Sequence, residues 1–182
     1  AEMHIQLLQG LLSGIGLCLV LYSLASWFSV RDRIFMDYAL SAAGATLFFL
    51  AYYGLGPQHV WGGSEWLTRN MAPLSVLVAL VGGCLFLDRA LDVSMSHRWV
   101  SLGLRAAAGA AALASTLFVL GLIDYRTAHL AGTALGPTPM LFGVPIAFIR
   151  ARRGDRAAGY LLAGWAAYAL SVLTMALLLR GY

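Results

Sequence analysis

The sequence predicts an all-α integral membrane protein, and three observations carry that prediction. Of its 182 residues 60% are hydrophobic and 11% charged, with a mean hydropathy of +0.79; a soluble domain carries about 25% charged residues. Apolar runs of about 20 residues, the length that crosses a ~30 Å hydrocarbon core, recur to the end of the chain. A secretory leader would give one short run and then a polar chain. The basic charge resides in twelve arginines with no lysine, and most of these gather in alternate connections between the runs.

Six runs are predicted to span. Helix one, Ile5–Ser29, stops before Arg31-Asp32-Arg33. Helix two, Ile34–Gly54, runs out into Leu-Gly-Pro, and helix three, Leu67–Leu87, lies between Trp66 and Asp88-Arg89. Helix four, Trp99–Leu122, is alanine-rich from Ala106 to Ala114, which makes it thin and suits it to a central place. Helix five, Ala128–Ile149, holds Pro137, Pro139 and Pro145, and helix six, Ala157–Leu179, follows Arg150-Ala-Arg-Arg-Gly-Asp-Arg156. Small residues four apart, Gly10 and Gly14, Ala79 and Gly83, and Ala128, Gly132 and Gly136, fall on shared helical faces and mark expected packing seams.

Arginine placement orients the bundle. Arg31, Arg33, Arg89, Arg98, Arg150, Arg152, Arg153 and Arg156 flank the odd connections; only Arg69, Arg126 and Arg180 lie on the other side, and Arg105 falls within helix four. Short basic loops stay cytoplasmic, so the N-terminus is expected outside, with Arg150, Arg152, Arg153 and Arg156 as the strongest topology anchor. These arginines also suit anionic lipid headgroups.

Arg105 should stand about 10 Å into helix four, where a charge must pair or snorkel. Asp37 and Asp88 are the acids within reach at that end. Each proline of helix five removes a backbone donor, so the helix is either statically kinked or a hinge, and Pro137, Pro139, Pro145, Arg105 and Asp37 are the candidate switch residues. Tyr52, Tyr53, Trp61 and Trp66 form an outer aromatic belt or pocket, since such rings rest at headgroup level. His4 and His129 fall near the same outer level, a placement open to a metal or haem but more usual for interfacial hydrogen bonding. Cys18 and Cys84 lie in apolar runs and read as small buried hydrophobes.

No His-Glu-x-x-His, no Gly-x-Ser-x-Gly and no carboxylate pair within a helix occurs. Without lysine there is no Schiff base to retinal or pyridoxal phosphate. The chain is therefore expected to be no enzyme, with no cofactor and no metal.

The glycine pattern of helix one with Tyr22, Arg31-Asp32-Arg33 followed by Tyr38, Tyr53-Gly54 with Trp61 and Trp66, Pro73, Phe86-Leu87, and Arg153-Gly154-x-x-Ala157 leading to Trp165 together resemble the seven-transmembrane module of bacterial receptors with diverse intracellular signalling modules. The resemblance spans nearly the whole chain. It implies a multi-pass protein of the bacterial inner membrane that relays a periplasmic signal to a cytoplasmic output domain, a histidine kinase or diguanylate cyclase. Its implied partners are membrane lipids, an outer sensory domain and the output domain of the same polypeptide, and a second copy in a homodimer. Six helices from a periplasmic N-terminus leave the C-terminus outside, so a seventh helix is expected after Tyr182, and neither the outer nor the output domain is present in these residues. The competing readings are a small transporter or channel that uses a proline-broken helix 128–149 with Arg105 as an anion site, and a structural subunit packing on a larger membrane partner.

Overall fold

A computed structural model describes residues 2–93 and 98–166. Among them every regular element is helical: α1 (Glu2–Val30), α2 (Arg33–Tyr52), a five-residue π turn (Gly56–Val60), α3 (Glu65–Ala90), α4 (Arg98–Val119), α5 (Tyr125–Leu135) and α6 (Thr138–Arg152), with residues 156–166 also helical. Five stretches are long and apolar enough to cross a membrane: Gln9–Val30, Arg33–Tyr52, Glu65–Ala90, Arg98–Val119 and Tyr125–Arg152. Most of the sixth expected span, 157–179, lies outside the described residues.

The chain divides into two compact units, Ala1–Pro139 and Met140–Tyr182. In the first, α3 holds the centre and is packed by α2, α4 and α5. Leu77 and Leu80 of α3 meet Ala111 and Phe118 of α4 and Ala128 of α5 in one buried cluster. The alanines of α4 are thin as expected, but they are buried on one face only. Ala107, Ala108 and Ala111 are covered while Ala106, Ala110 and Ala112 are exposed, so the central place belongs to α3.

The α2–α3 seam is the tightest. A Cβ on Gly44 would stand 2.5 Å from the backbone nitrogen of Ala79, and one on Gly82 would run into the backbone of Ser41, Asp37 and Leu40. Each helix thus sets its glycine against the other's backbone, the close approach that small residues permit where no hydrophobic effect drives helices together. Of the expected seams, Ala79 and Gly132 are in close contact, the latter 3.2 Å from Val76 through an added Cβ. Gly10 and Gly14 meet nothing, and the seam of α1 runs instead through Gly16 against Thr46 of α2.

Helix five is interrupted. Its first part, α5, begins at the Asp124 cap and ends at Gly136, whose N–H donates to the Gly132 carbonyl at 2.8 Å. Pro137 has no N–H to continue the ladder. Helix α6 then starts at Thr138, with Pro139 in its first turn, where a missing donor is tolerated, and Pro145 inside it.

Candidate functional site

The charged end of α2, α3 and α4 brings together two of the predicted switch residues. Asp88 and Arg89 are neighbours on the last turn of α3 and point to different helices. Arg89 Nη1 pairs with Asp37 Oδ2 on α2, and Arg105 Nε on α4 donates to Asp88 Oδ2 at 2.7 Å. Asp37 and Asp88 are both buried, Asp88 to 3% exposure. The arginine side chains are more open, at 37% for Arg89 and 59% for Arg105.

Local chemistry explains why the pairs hold. Gly82 removes the side chain that would separate α2 from α3 beside Asp37, and Tyr38 packs on Phe86 with ring centroids 5.3 Å apart. Leu87, Leu91 and Val93 are buried at the same end and help keep water from Asp88. Its second oxygen, Oδ1, has no hydrogen-bond partner among the described residues, so among them the attachment of this carboxylate rests on Arg105. The two pairs bolt α3 to both neighbours at one level. The sequence anticipated Asp37 and Asp88 as acids for Arg105; the structure gives Asp88 to Arg105 and Asp37 to Arg89.

The remaining candidates lie elsewhere. Pro137, Pro139 and Pro145 mark the break between α5 and α6. At the opposite end of α2, Tyr52 and Tyr53 are exposed and touch edge to face with centroids 5.3 Å apart, and Trp66 is exposed. These three suit an interfacial belt. Trp61 departs from it: its ring is buried at 8% exposure against Gly56 in the π turn, and its indole N–H has no partner among the described residues. It plugs the connection rather than facing the interface. His129 is exposed and stacks on Tyr125 with centroids 6.2 Å apart, while the His4 side chain lies outside the described residues. No group of three metal-binding side chains occurs among the described residues. Cys84 is buried as expected, whereas Cys18 is exposed on α1.

In the second unit, Arg150 Nε bonds Asp155 Oδ2 at 2.9 Å and Arg152 lies over the Phe148 ring at 4.6 Å. Arg153 and Arg156 are exposed. Asp155 caps the next helix by accepting from the N–H groups of Ala157 and Ala158.

Both loop caps carry a pH signature. The Thr127 hydroxyl and N–H that donate to Asp124 hold its carboxyl below the usual carboxylate range. The Ala158 N–H, joined by Arg150, does the same for Asp155. A carboxyl lowered on folding contributes stability above its unfolded pKa of about 4 and loses it as pH falls through the folded value. Thermal unfolding in detergent should therefore show a midpoint that drops below pH 4, and the Asp124→Asn, Asp155→Asn double variant should show a shallower acid drop. An unchanged acid profile in that variant would assign the drop to other groups.

A family model described as 7TM diverse intracellular signalling matches residues 5–182. The chain belongs to that family. No curated protein and no solved structure gives a match. Membership in the 7TM diverse intracellular signalling family makes the chain a transmembrane module of signalling receptors and, with its several apolar helices, a multi-pass membrane protein. Two of the segments that carry the resemblance lie at helix ends. Arg31-Asp32-Arg33 forms the α1–α2 turn, where Arg31 takes a left-handed backbone (φ +61°) and Asp32 caps α2 through the Ile34 N–H at 3.0 Å. Tyr53-Gly54 forms the turn out of α2, with Gly54 at φ +73°.

Sequence reasoning misses Arg89 as a site residue, because it counts there with the loop arginines. The available signal is its position: α3 continues through Ala90, and Asp88-Arg89 then lies within a helix whose neighbours on both sides offer an opposite charge.

Proposed function

We propose that this chain is the sensory and signal-transducing membrane module of a bacterial inner-membrane receptor, passing a periplasmic signal to a cytoplasmic kinase- or cyclase-type output domain on the same polypeptide. The family match across residues 5–182 carries this reading. The module itself performs no chemistry. It works within a homodimer as a two-state element: an outer domain or ligand favours one helix arrangement, and the differential free energy reaches the output domain.

Two features support an element of that kind. The helix ladder is interrupted at Gly136-Pro137, and a missing N–H of this kind is where a helix can bend without breaking further hydrogen bonds. The ionic bolts, by contrast, hold α2, α3 and α4 together at one end, which suits a rigid body against which a broken helix moves. The transporter reading gains no comparable support, since the Arg105 side chain is 59% exposed beside the α3–α4 contact and the family match is to a signalling module.

Replacing Pro137 and Pro139 with alanine in the full-length receptor should change basal output. A bias of about 1 kcal/mol on a two-state element shifts its populations about fivefold. Output equal to wild type at equal membrane abundance would sink the hinge.

A further inference from the structure

Helix α4 carries a second feature that the ionic bolts do not use. Arg98, Leu102, Arg105 and Gly109 recur at spacings of four, three and four and so share one helical face. All four are exposed, and a Cβ on Gly109 would meet nothing within 4 Å. Trp99, 85% exposed, stands beside Arg98, and Ala106, Ala110, Ala112 and Leu113 continue the open surface toward the middle of the helix.

The charge on this face is one-sided. No acid occurs in α4 from Arg98 to Val119. Arg98 has no carboxylate partner among the described residues, and Arg105 gives only its Nε to Asp88. That contact leaves its two terminal nitrogens, the pair that grips a phosphate in bidentate fashion, without a hydrogen bond among the described residues, on a side chain that is 59% exposed.

An exposed guanidinium about 10 Å along a membrane helix is costly in hydrocarbon unless an anion reaches it. Asp88 meets only the Arg105 Nε; as the side chain snorkels along its stem toward the headgroup level, the rest of the group meets lipid phosphate. We propose that this face of α4 is a binding site for an anionic phospholipid of the leaflet that adjoins the α3–α4 connection. Arg105 and Arg98 hold the headgroup phosphate, Trp99 rests at the level of the glycerol, and one acyl chain lies along the notch left by Gly109 and its neighbouring alanines. A zwitterionic lipid fits worse, because its ammonium finds no acid on α4. The proposal rests on α4 spanning a membrane and not on the signalling role, so either stands if the other fails.

The test is native mass spectrometry of the detergent-purified protein titrated with phosphatidylglycerol and, separately, phosphatidylcholine. Phosphatidylglycerol should bind more tightly, and Arg98→Gln and Arg105→Gln should each weaken it about fivefold, the effect of removing one headgroup-facing arginine. Arg126→Gln, at the other end of the bundle, should leave binding unchanged. Arg98 takes part in no ion pair among the described residues, so its variant carries the test even where Arg105→Gln fails to fold. Equal binding of the two lipids, or undiminished phosphatidylglycerol binding in Arg98→Gln, would overturn the proposal. Displacement of the lipid by inorganic phosphate alone would also overturn it, assigning the face to a soluble anion.

Discussion

Arg105→Ala should destabilise the helix bundle far more than Asp88→Ala, although both remove the same ion pair. The asymmetry follows from what each leaves behind. Without Arg105, the Asp88 carboxylate stays buried at 3% exposure with neither oxygen bonded among the described residues. Without Asp88, the Arg105 side chain is already 59% exposed and reaches headgroups or water along its flexible stem. Stranding a buried charge costs about 3–5 kcal/mol, whereas replacing both partners of a buried pair with apolar groups is often neutral. Asp88→Leu combined with Arg105→Leu should therefore recover most of what Arg105→Ala loses. The measurement is the denaturation midpoint of the detergent-purified variants, followed by the loss of helical circular dichroism. Equal losses for the two single variants would show that the pair is a surface contact, worth about 0–1 kcal/mol, and not an attachment that the α3–α4 contact depends on.

The contrast between the two ion pairs also separates what is legible in the sequence from what is not. Composition and run length locate five of the expected spans because a bilayer demands about 20 apolar residues whatever the partners are. The break in helix five is legible for an equally local reason: a proline removes its own N–H wherever it sits. Pairing is not local. Arg105 has two acids at its end of the bundle, and which one it meets depends on how α2 and α4 are arranged around α3, which no periodicity records. Arg89 is hidden by a helix boundary set three residues too early, since a residue counted in a loop is not asked which helix face it occupies. Trp61 illustrates the same limit for an aromatic side chain. Its neighbours Tyr52, Tyr53 and Trp66 are exposed as an interfacial belt requires, but the π turn folds Gly56 under its ring and buries it.

Glycines test this most sharply. Gly82→Ala should break the α2–α3 seam, while Gly10→Ala and Gly14→Ala should leave the fold intact. All three change a helical glycine, and by propensity alone each alanine stabilises by about 1 kcal/mol. At Gly10 and Gly14 nothing opposes that gain, because no atom lies within 4 Å of the added carbon. At Gly82 the new carbon meets the backbone of Ser41, Asp37 and Leu40, and backbone in a packed helix does not yield as the end of a side chain does. Overpacking costs about 1–3 kcal/mol. Here a second loss is added, because moving α2 away from Gly82 also carries Asp37 away from Arg89 and leaves two charges at a membrane depth where each needs the other. The combined effect places Gly82→Ala among the most damaging single-atom additions available to this chain. It should show a lowered thermal midpoint and faster proteolysis in the Arg31–Arg33 turn. Asp37→Leu with Arg89→Leu in the Gly82→Ala background separates the two contributions: the stability it returns measures the lost ion pair, and the deficit that remains measures the clash. A Gly82→Ala protein as stable as wild type would mean that α2 and α3 do not meet backbone to backbone at Ser41.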